Sequence, residues 1–261
     1  MEDRDNEILA GRVADLILKS KRLVIFTGAG ISTESGISDF RSPGGIWDRF
    51  DPDDFTIGKY VRDPEVRRKQ WQMFGEGLIT EKAEPNAAHI AIAELHGLGK
   101  LDCVVTQNVD NLHQKAGVPD DKVLELHGNM RRVSCLKCGK RFPFGNIRAR
   151  LDAGEEVPDC LDCGGMLKPD VVMFGEQLPA RVLEEASRRA IASDLCIVIG
   201  STLVVYPAAL IPAYAIQSGA KLVIINLSDT PMDGKAEVLI NAMAGETMAE
   251  ISRQLKLKID R

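Results

Sequence analysis

Four short runs of almost unbroken Val, Ile and Leu constrain this chain most: residues 23–27, 101–106, 195–199 and 222–225. Strands covered by helices on both faces read this way, whereas a sheet with one wet face alternates apolar and polar residues. Amphipathic patterns at about 6–19, 86–96, 180–193, 206–218 and 245–256 supply the helices. Pro207 suits a first helical turn and Gly219 a helix stop. This alternation predicts an α/β fold, a parallel sheet with helices on both faces. At 261 residues, the chain has room for one such domain with insertions.

Two segments break the alternation. Residues 42–80 are rich in Pro, Gly, Asp and aromatics, with a basic helical stretch at about 64–74. Residues 131–168 carry two C-x2-C pairs, Cys135 with Cys138 and Cys160 with Cys163, separated by 21 residues. Two such pairs place four thiolates around one zinc ion, and a closed four-cysteine site leaves no open position for catalysis. One structural Zn2+ in a smaller lobe is therefore expected. Cys103 and Cys196 lie in apolar runs and read as buried hydrophobes. Residues 131–150 hold Arg131, Arg132, Lys137, Lys140, Arg141, Arg148 and Arg150 and no acid. Part of that charge is expected to balance the zinc thiolates, with a nucleic-acid patch as the second reading. The expected division is 1–41, 97–130 and 169–261 for the nucleotide-type domain. Residues 42–96 then form a cofactor loop and helical insertion, and 131–168 a zinc-binding module.

Ligands of open α/β sheets bind beyond the carboxyl ends of the strands. The first run is followed by Gly28, Ala29, Gly30 and Ser32, the second by Gln107, Asn108, Val109 and Asp110. The third leads to Gly200, Ser201 and Thr202, the fourth to Asn226, Leu227 and Ser228. Glycines, hydroxyls and amides at four strand ends suit a polyhydroxylated, phosphorylated ligand such as a dinucleotide in a Rossmann-like sheet. Gly28 and Gly30 open a G-x-G-x-x-G pattern, but Thr33 fills the third glycine position. No Gly-Lys-Ser/Thr follows, which excludes a P-loop nucleotidase. Of four histidines, His89 and His96 lie on a predicted helix and His113 beside Asp110. His127 precedes Gly128 at the junction with the cysteine segment, where a substrate would sit.

A net charge of −5 argues against a protein that coats nucleic acid, which needs a basic surface. No apolar stretch approaches the ~18 residues that span a bilayer. The acidic start is unlike a signal or transit peptide. A soluble, cytoplasmic protein is expected, without membrane or specific nucleic-acid partners, and with a monomer favoured.

These pieces together resemble the sirtuin family of NAD+-dependent protein lysine deacylases over nearly the whole chain. The resemblance rests on 28–32 (GAGIS), 36–41 (GISDFR), 106–113 (TQNVDNLH), His127-Gly128, the four cysteines, 168–176 (KPDVVMFGE) and 200–207 (GSTLVVYP). Ser38 stands where the family usually has proline, which should slightly loosen the cofactor loop. By this resemblance His127 is the general base, and Asn108 works beside it at the ribose of NAD+. Ala29, Phe40 and Arg41 would line the cofactor loop, Gly28, Gly30, Ser32, Asp39 and Trp47 would also contact the cofactor, and Gln107 and Asn108 would contact the nicotinamide ribose. Val109 and Asp110 would hold the carboxamide. Gly200, Ser201, Asn226 and Ala244 would bind the adenosine half, with Thr202, Leu227 and Ser228 also among the cofactor contacts. Val171, Val172, Met173, Phe174 and Gly175 would pair with an acyl-lysine peptide on one side, and Leu203, Val204 and Val205 on the other, as an added strand. NAD+ is then a co-substrate that loses nicotinamide and accepts the acyl group on ADP-ribose. The alternative within the family is protein mono-ADP-ribosylation. An ordinary NAD dehydrogenase and a non-catalytic zinc module are more distant rivals.

The resemblance also bears on the acyl group. Members that favour succinyl or malonyl lysine place a tyrosine and, three residues later, an arginine on the helix after the cofactor loop. Trp71 and Phe74 match those positions here, with Arg67, Arg68 and Lys69 nearby. A pocket without a cation is expected to prefer neutral acyl groups.

Overall fold

The computed structural model describes residues 2–40, 42–75 and 83–260. In chain order its first elements are α1 (Glu2–Lys19), β1 (Leu23–Thr27), α2 (Ile57–Arg62), α3 (Pro64–Gly75), α4 (Ala87–Gly97), β2 (Leu101–Thr106), α5 (Leu112–Lys115) and β3 (Val123–Glu125). They continue with β4 (Gly128–Cys135), β5 (Arg141–Pro143), α6 (Phe144–Asp152), β6 (Leu167–Val171), α7 (Ala180–Ala192), β7 (Leu195–Ile199), α8 (Leu210–Gln217), β8 (Lys221–Ile225), β9 (Val238–Ile240) and α9 (Ala244–Ile259).

Six strands form a parallel sheet in the order β3-β2-β1-β7-β8-β9. The chain builds outward from β1 in one direction, then restarts at β7 on its other side. The switch between β1 and β7 opens a crevice at their carboxyl ends. All five residues of β1 are buried. Leu23 and Ile25 join a core with α1, α4 and α9, while Val24 and Phe26 face a second core with α7 and α8. Each such enclosed side chain contributes about 1.5–3 kcal/mol, which is why the strands read as continuous apolar runs. Cys103 and Cys196 pair in register on either side of Val24. Burial pushes both thiols up to about 12, so neither is a nucleophile.

The structure corrects several expectations. The three-residue strands β3 and β9 are too short to show a period, yet they complete the sheet's edges. Helix α8 starts at Leu210 rather than 206, because residues 201–209 stay in loop and turn conformation, with Leu203 left-handed at φ 56°. Helix α4, assigned above to the insertion, packs on the large sheet through Ala88, Ala91, Ile92 and Leu95. Those positions recur at helical spacing and form one apolar face, which packs against α9 and β2.

The smaller lobe has its own core. Trp71, Met73 and Phe74 from α3 meet Val133 and Cys135 from β4, Ile147 from α6 and Leu167 from β6. Strands β5, β4 and β6 form an antiparallel sheet that the sequence did not reveal. Fully buried Tyr60 donates from its hydroxyl to Leu167 O at 2.6 Å, tying the helical insertion to the cysteine module. No helix among the described residues is long and apolar enough to cross a membrane.

Candidate active site and metal centre

The crevice is closed at its base by backbone contact between two loops. Gly28 N donates to Ile199 O at 3.1 Å and Gly30 N to Gly200 O at 2.9 Å. Gly200 is left-handed at φ 62°, and a Cβ there would stand 2.1 Å from Ile31 N. A Cβ on Gly30 would stand 2.8 Å from Gly200 Cα. The first two glycines of the pattern thus serve close approach to β7. Thr33, in the third position, turns its hydroxyl back to Gly30 O at 3.0 Å.

A polar floor lies between these loops and the end of β2. Asn108 donates through Nδ2 to Gly28 O and to Ser32 Oγ, each at 3.1 Å. Ser32 Oγ donates to Asp110 Oδ2 at 2.7 Å, and Asp110 Oδ1 accepts from Leu112 N at 2.9 Å. Gln107 Nε2 donates to Ser201 Oγ at 2.9 Å, linking β2 to β7 across β1. Asn226 Nδ2 donates to Ser228 O at 2.6 Å, and Leu227 is exposed beside it. Thr202 is half-buried, and Ala244 is buried at the start of α9, where Gly245 N donates to Glu34 Oε2 at 2.6 Å.

Below the floor is a pair of packed histidines, neither of which the sequence marks as catalytic. Fully buried His113 and His89 have ring centroids 5.0 Å apart. His113 Nε2 lies 3.0 Å from Thr27 Oγ1, which donates to Thr106 Oγ1, which in turn accepts from Asn108 N. Burial pushes His89 down to about 4 and His113 well below the ordinary histidine value. His127 is lowered too, by burial, against the raising effect of its bond to Gln107. The unfolded chain binds protons at these rings near pH 6.5, whereas the folded chain does so only at lower pH. Stability from these groups is therefore complete above about pH 6.5 and is lost as pH falls toward 4. Denaturant midpoints measured from pH 7.5 down to 5 should fall steadily, and a flat profile would contradict the burial of these rings.

His127 sits where the two lobes join. Its backbone O accepts from Val172 N at 2.9 Å, and Gly128 follows at φ 73°. A Cβ on Gly128 would stand 1.9 Å from Asp170 O, so only glycine lets β4 cross β6 here. His127 Nδ1 lies 2.9 Å from Gln107 O. A carbonyl only accepts, so Nδ1 carries the proton and Nε2 keeps a free lone pair.

Aromatic rings line the smaller-lobe side. Trp47 stands 5.1 Å from Phe40, 5.3 Å from Phe55 and 6.0 Å from Phe174 between ring centroids. Asp39 accepts from Ser42 N at 2.8 Å and holds this loop, while Arg41 lies outside the described residues. The 171–175 segment is pinned at Phe174, whose N donates to Phe55 O and whose O accepts from Ile57 N, both at 3.0 Å. Phe174 and Val204 are exposed, Val172 and Val205 half-buried, and Met173 and Leu203 buried. Phe55 and Ile57 carried no motif, because their role lies in the backbone. Trp71 and Phe74, matched above to acyl-pocket positions, lie inside the smaller-lobe core, against which Val109 and Val171 pack. Arg67 is engaged by Tyr60 O and Val61 O, and Arg68 by Glu65.

The four cysteines converge as two matched turns. Gly139 N donates to Cys135 O at 2.9 Å, and Gly164 N to Cys160 O at 2.8 Å. Cys135 and Cys163 sulfurs are 3.5 Å apart, Cys138 and Cys160 sulfurs 3.9 Å, and all four lie within 4.8 Å of one another. Four Zn–S bonds of about 2.3 Å in a tetrahedron require sulfurs ~3.8 Å apart, so the donor set fits zinc. Disulfides would need about 2.05 Å. The basic residues do not chiefly balance this cluster, because acids from outside 131–150 reach them. Arg132 and Arg141 each pair with Asp170 at 3.4 Å, Arg150 with Glu155 at 2.6 Å, and Lys140 with Asp162. Arg131 pairs with Asp120 at 3.2 Å and Arg148 with Asp152 at 2.8 Å. Lys137 does reach the knuckles, donating to Cys163 O at 3.2 Å.

Comparison with known proteins is consistent with this architecture. Residues 28–207 match the family described as the Sir2 family. An NAD-dependent protein deacetylase of Caldivirga maquilingensis is 44% identical over 94% of both chains. A solved Sir2 enzyme superposes with a TM-score of 0.88 at 42% identity, covering 99% of this chain and all of the other. A second, solved as "Sir2-p53 peptide-NAD+", gives 0.86 at 38% identity over 94% of this chain and 98% of the other. With two-thirds of its length inside the family match and a fold shared end to end, this chain belongs to the Sir2 family, the sirtuins.

Proposed function

We propose that this protein is an NAD+-dependent protein lysine deacylase. The observation that carries this reading is His127, whose Nδ1–H is fixed on Gln107 O so that Nε2 is a bare base at the lobe junction. When bound, NAD+ supplies an electrophilic ribose carbon with nicotinamide as leaving group. Asn108, anchored by Gly28 O and Ser32, presents its side chain at the ribose. Asp110 and Val109 N–H hold the carboxamide, and Gly200, Ser201, Asn226 and Ala244 take the adenosine half. Phe40, Trp47 and Phe174 exclude water from the reacting face. His127 Nε2 takes a proton from a ribose hydroxyl, which frees that oxygen to accept the acyl group. Cys135, Cys138, Cys160 and Cys163 hold a structural zinc away from the chemistry. The peptide lies as a strand between 171–175 and 203–205. The cytoplasm is the location proposed, since its reducing conditions keep four zinc-binding cysteines available as thiols.

The acyl group is a neutral one. The smaller-lobe core beside Val109 and Val171 is apolar, and Arg67 and Arg68 are engaged elsewhere. A carboxylate buried there without a partner would cost several kcal/mol, on the order of 2–7, whereas each buried CH2 contributes about 0.8 kcal/mol. Matched acetyl, butyryl and succinyl peptides incubated with NAD+, with products weighed by mass spectrometry, test both statements. Loss of the acyl group with nicotinamide release is expected, with kcat/KM lowest for succinyl. A peptide that gains ADP-ribose instead would favour the transferase alternative, and a preference for succinyl would place a cation in the pocket.

A further inference from the structure

We infer that the ion pair between Lys168, buried in β6, and half-buried Glu176 is a positioning device that sets the register of the peptide-binding segment; this rests on the deacylase reading above. Lys168 lies in β6 with its side chain only 8% exposed, and its Nζ is 2.9 Å from Glu176 Oε2. Every bond recorded for this pair goes to the other member or to the backbone between them. Lys168 Nζ donates to Val171 O at 2.5 Å, and Glu176 Oε2 accepts from Met173 N at 2.8 Å. Glu176 N closes the turn on Met173 O at 3.0 Å, around Gly175 at φ 85°. Two charges thus brace a six-residue bend from inside.

The rest of the bend is fixed at different points. Val172 N is held by His127 O, and Phe174 by Phe55 O and Ile57 N. Without the pair, Val171 O and Met173 N would have to find other partners. The segment could then rotate between its anchors at His127 and Phe55. Folding alone does not call for ions here, since apolar residues often replace an ion pair withdrawn from water, as Lys168 is, at little or no cost in stability. What apolar residues cannot do is hold a carbonyl at 171 and an amide at 173 in fixed directions. Those directions decide where the neighbouring free backbone groups meet an added strand, and where its acyl-lysine lies relative to His127.

The test uses the full-length, zinc-loaded enzyme and three variants: Lys168→Met, Glu176→Gln and the double variant Lys168→Met/Glu176→Leu. Readouts are KM for an acetyl-lysine peptide, KM for NAD+, and Tm. In Lys168→Met and in the double variant, peptide KM should rise about tenfold while NAD+ KM stays within about twofold. Glu176→Gln keeps an acceptor for Met173 N and should raise peptide KM less, by about threefold; it also serves if Lys168→Met fails to fold. The double variant should recover wild-type Tm without recovering peptide KM. Wild-type peptide KM in a double variant that melts normally would overturn the assignment. So would a parallel rise of both KM values with a falling Tm, which marks a merely structural pair. Wild-type enzyme that releases no nicotinamide with any acyl peptide would overturn the deacylase reading, and this assignment with it. Normal wild-type turnover with unmoved variant KM values overturns the pair's role alone.

Discussion

Replacing His127 by alanine is expected to lower net deacylation by about 10²–10⁴-fold, the usual range for a positioned general base, while NAD+ binds nearly as before. The reason is geometric. The ring makes one recorded hydrogen bond, to Gln107 O, and the polar floor of Asn108, Ser32 and Asp110 is assembled without it. Calorimetric titration with NAD+ and mass analysis of the peptide product separate the two properties. Near-normal turnover would remove His127 from the base role, and a joint loss of cofactor affinity and folding stability would make it structural. The pH profile is a second readout. Burial lowers the His127 pKa from the ordinary 6.5, and a base works only when neutral. Activity should therefore be level above about pH 6.5 and fall as pH drops through the lowered value. Rates must be taken where circular dichroism shows intact fold, because His89 and His113 destabilise the protein over the same acid range.

Loss of zinc should have the largest effect on stability. Four thiolates holding one Zn2+ contribute on the order of 10–16 kcal/mol in small zinc modules, as large as a whole domain's typical margin of about 5–15 kcal/mol. The smaller-lobe core is shared between insertions: Trp71 and Phe74 from α3 lie against Val133, Cys135 and Leu167. Chelation, or Cys135→Ala, is expected to unfold both parts together and to release the Trp71 indole into water. Strand β6 runs directly from the cysteine turns into Val171, so the peptide segment goes with them. The six-stranded sheet, with its own two cores, should survive as a separate, later melting transition. Metal analysis should find one zinc per chain, coupled to near-ultraviolet dichroism and activity. Reduced, freshly purified protein that is folded and active without zinc would refute this account.

Strands β1, β2, β7 and β8 were legible because helix-covered strands need nearly every residue apolar, a property written within five or six positions. The cysteine turns were legible for a related reason: a C-x2-C knuckle is made by adjacent residues, and only the meeting of two knuckles is long-range. The glycines at 28, 30 and 200 pointed to the crevice, and the ordered motifs from GAGIS to GSTLVVYP identified the family. Other features depended on partners far along the chain. Helix α4 could have covered either lobe until its apolar face met α9 and β2. Strands β3, β5 and β9 have three residues each, too few for a period, and exist only because a neighbour supplies hydrogen bonds. The basic residues of 131–150 include no acid among them, yet Asp120, Asp162 and Asp170 reach Arg131, Arg132, Lys140 and Arg141 from 11 to 38 residues away along the chain. The sequence alone thus determined the sheet's inner strands, the paired cysteines that gather into a zinc-sized cluster and the family, all encoded in side chains close along the chain. The tertiary structure decided which nitrogen of His127 is free, which loops touch at Gly200, and what braces the 171–176 bend, because each depends on backbone carbonyls and amides that carry no letter in the sequence.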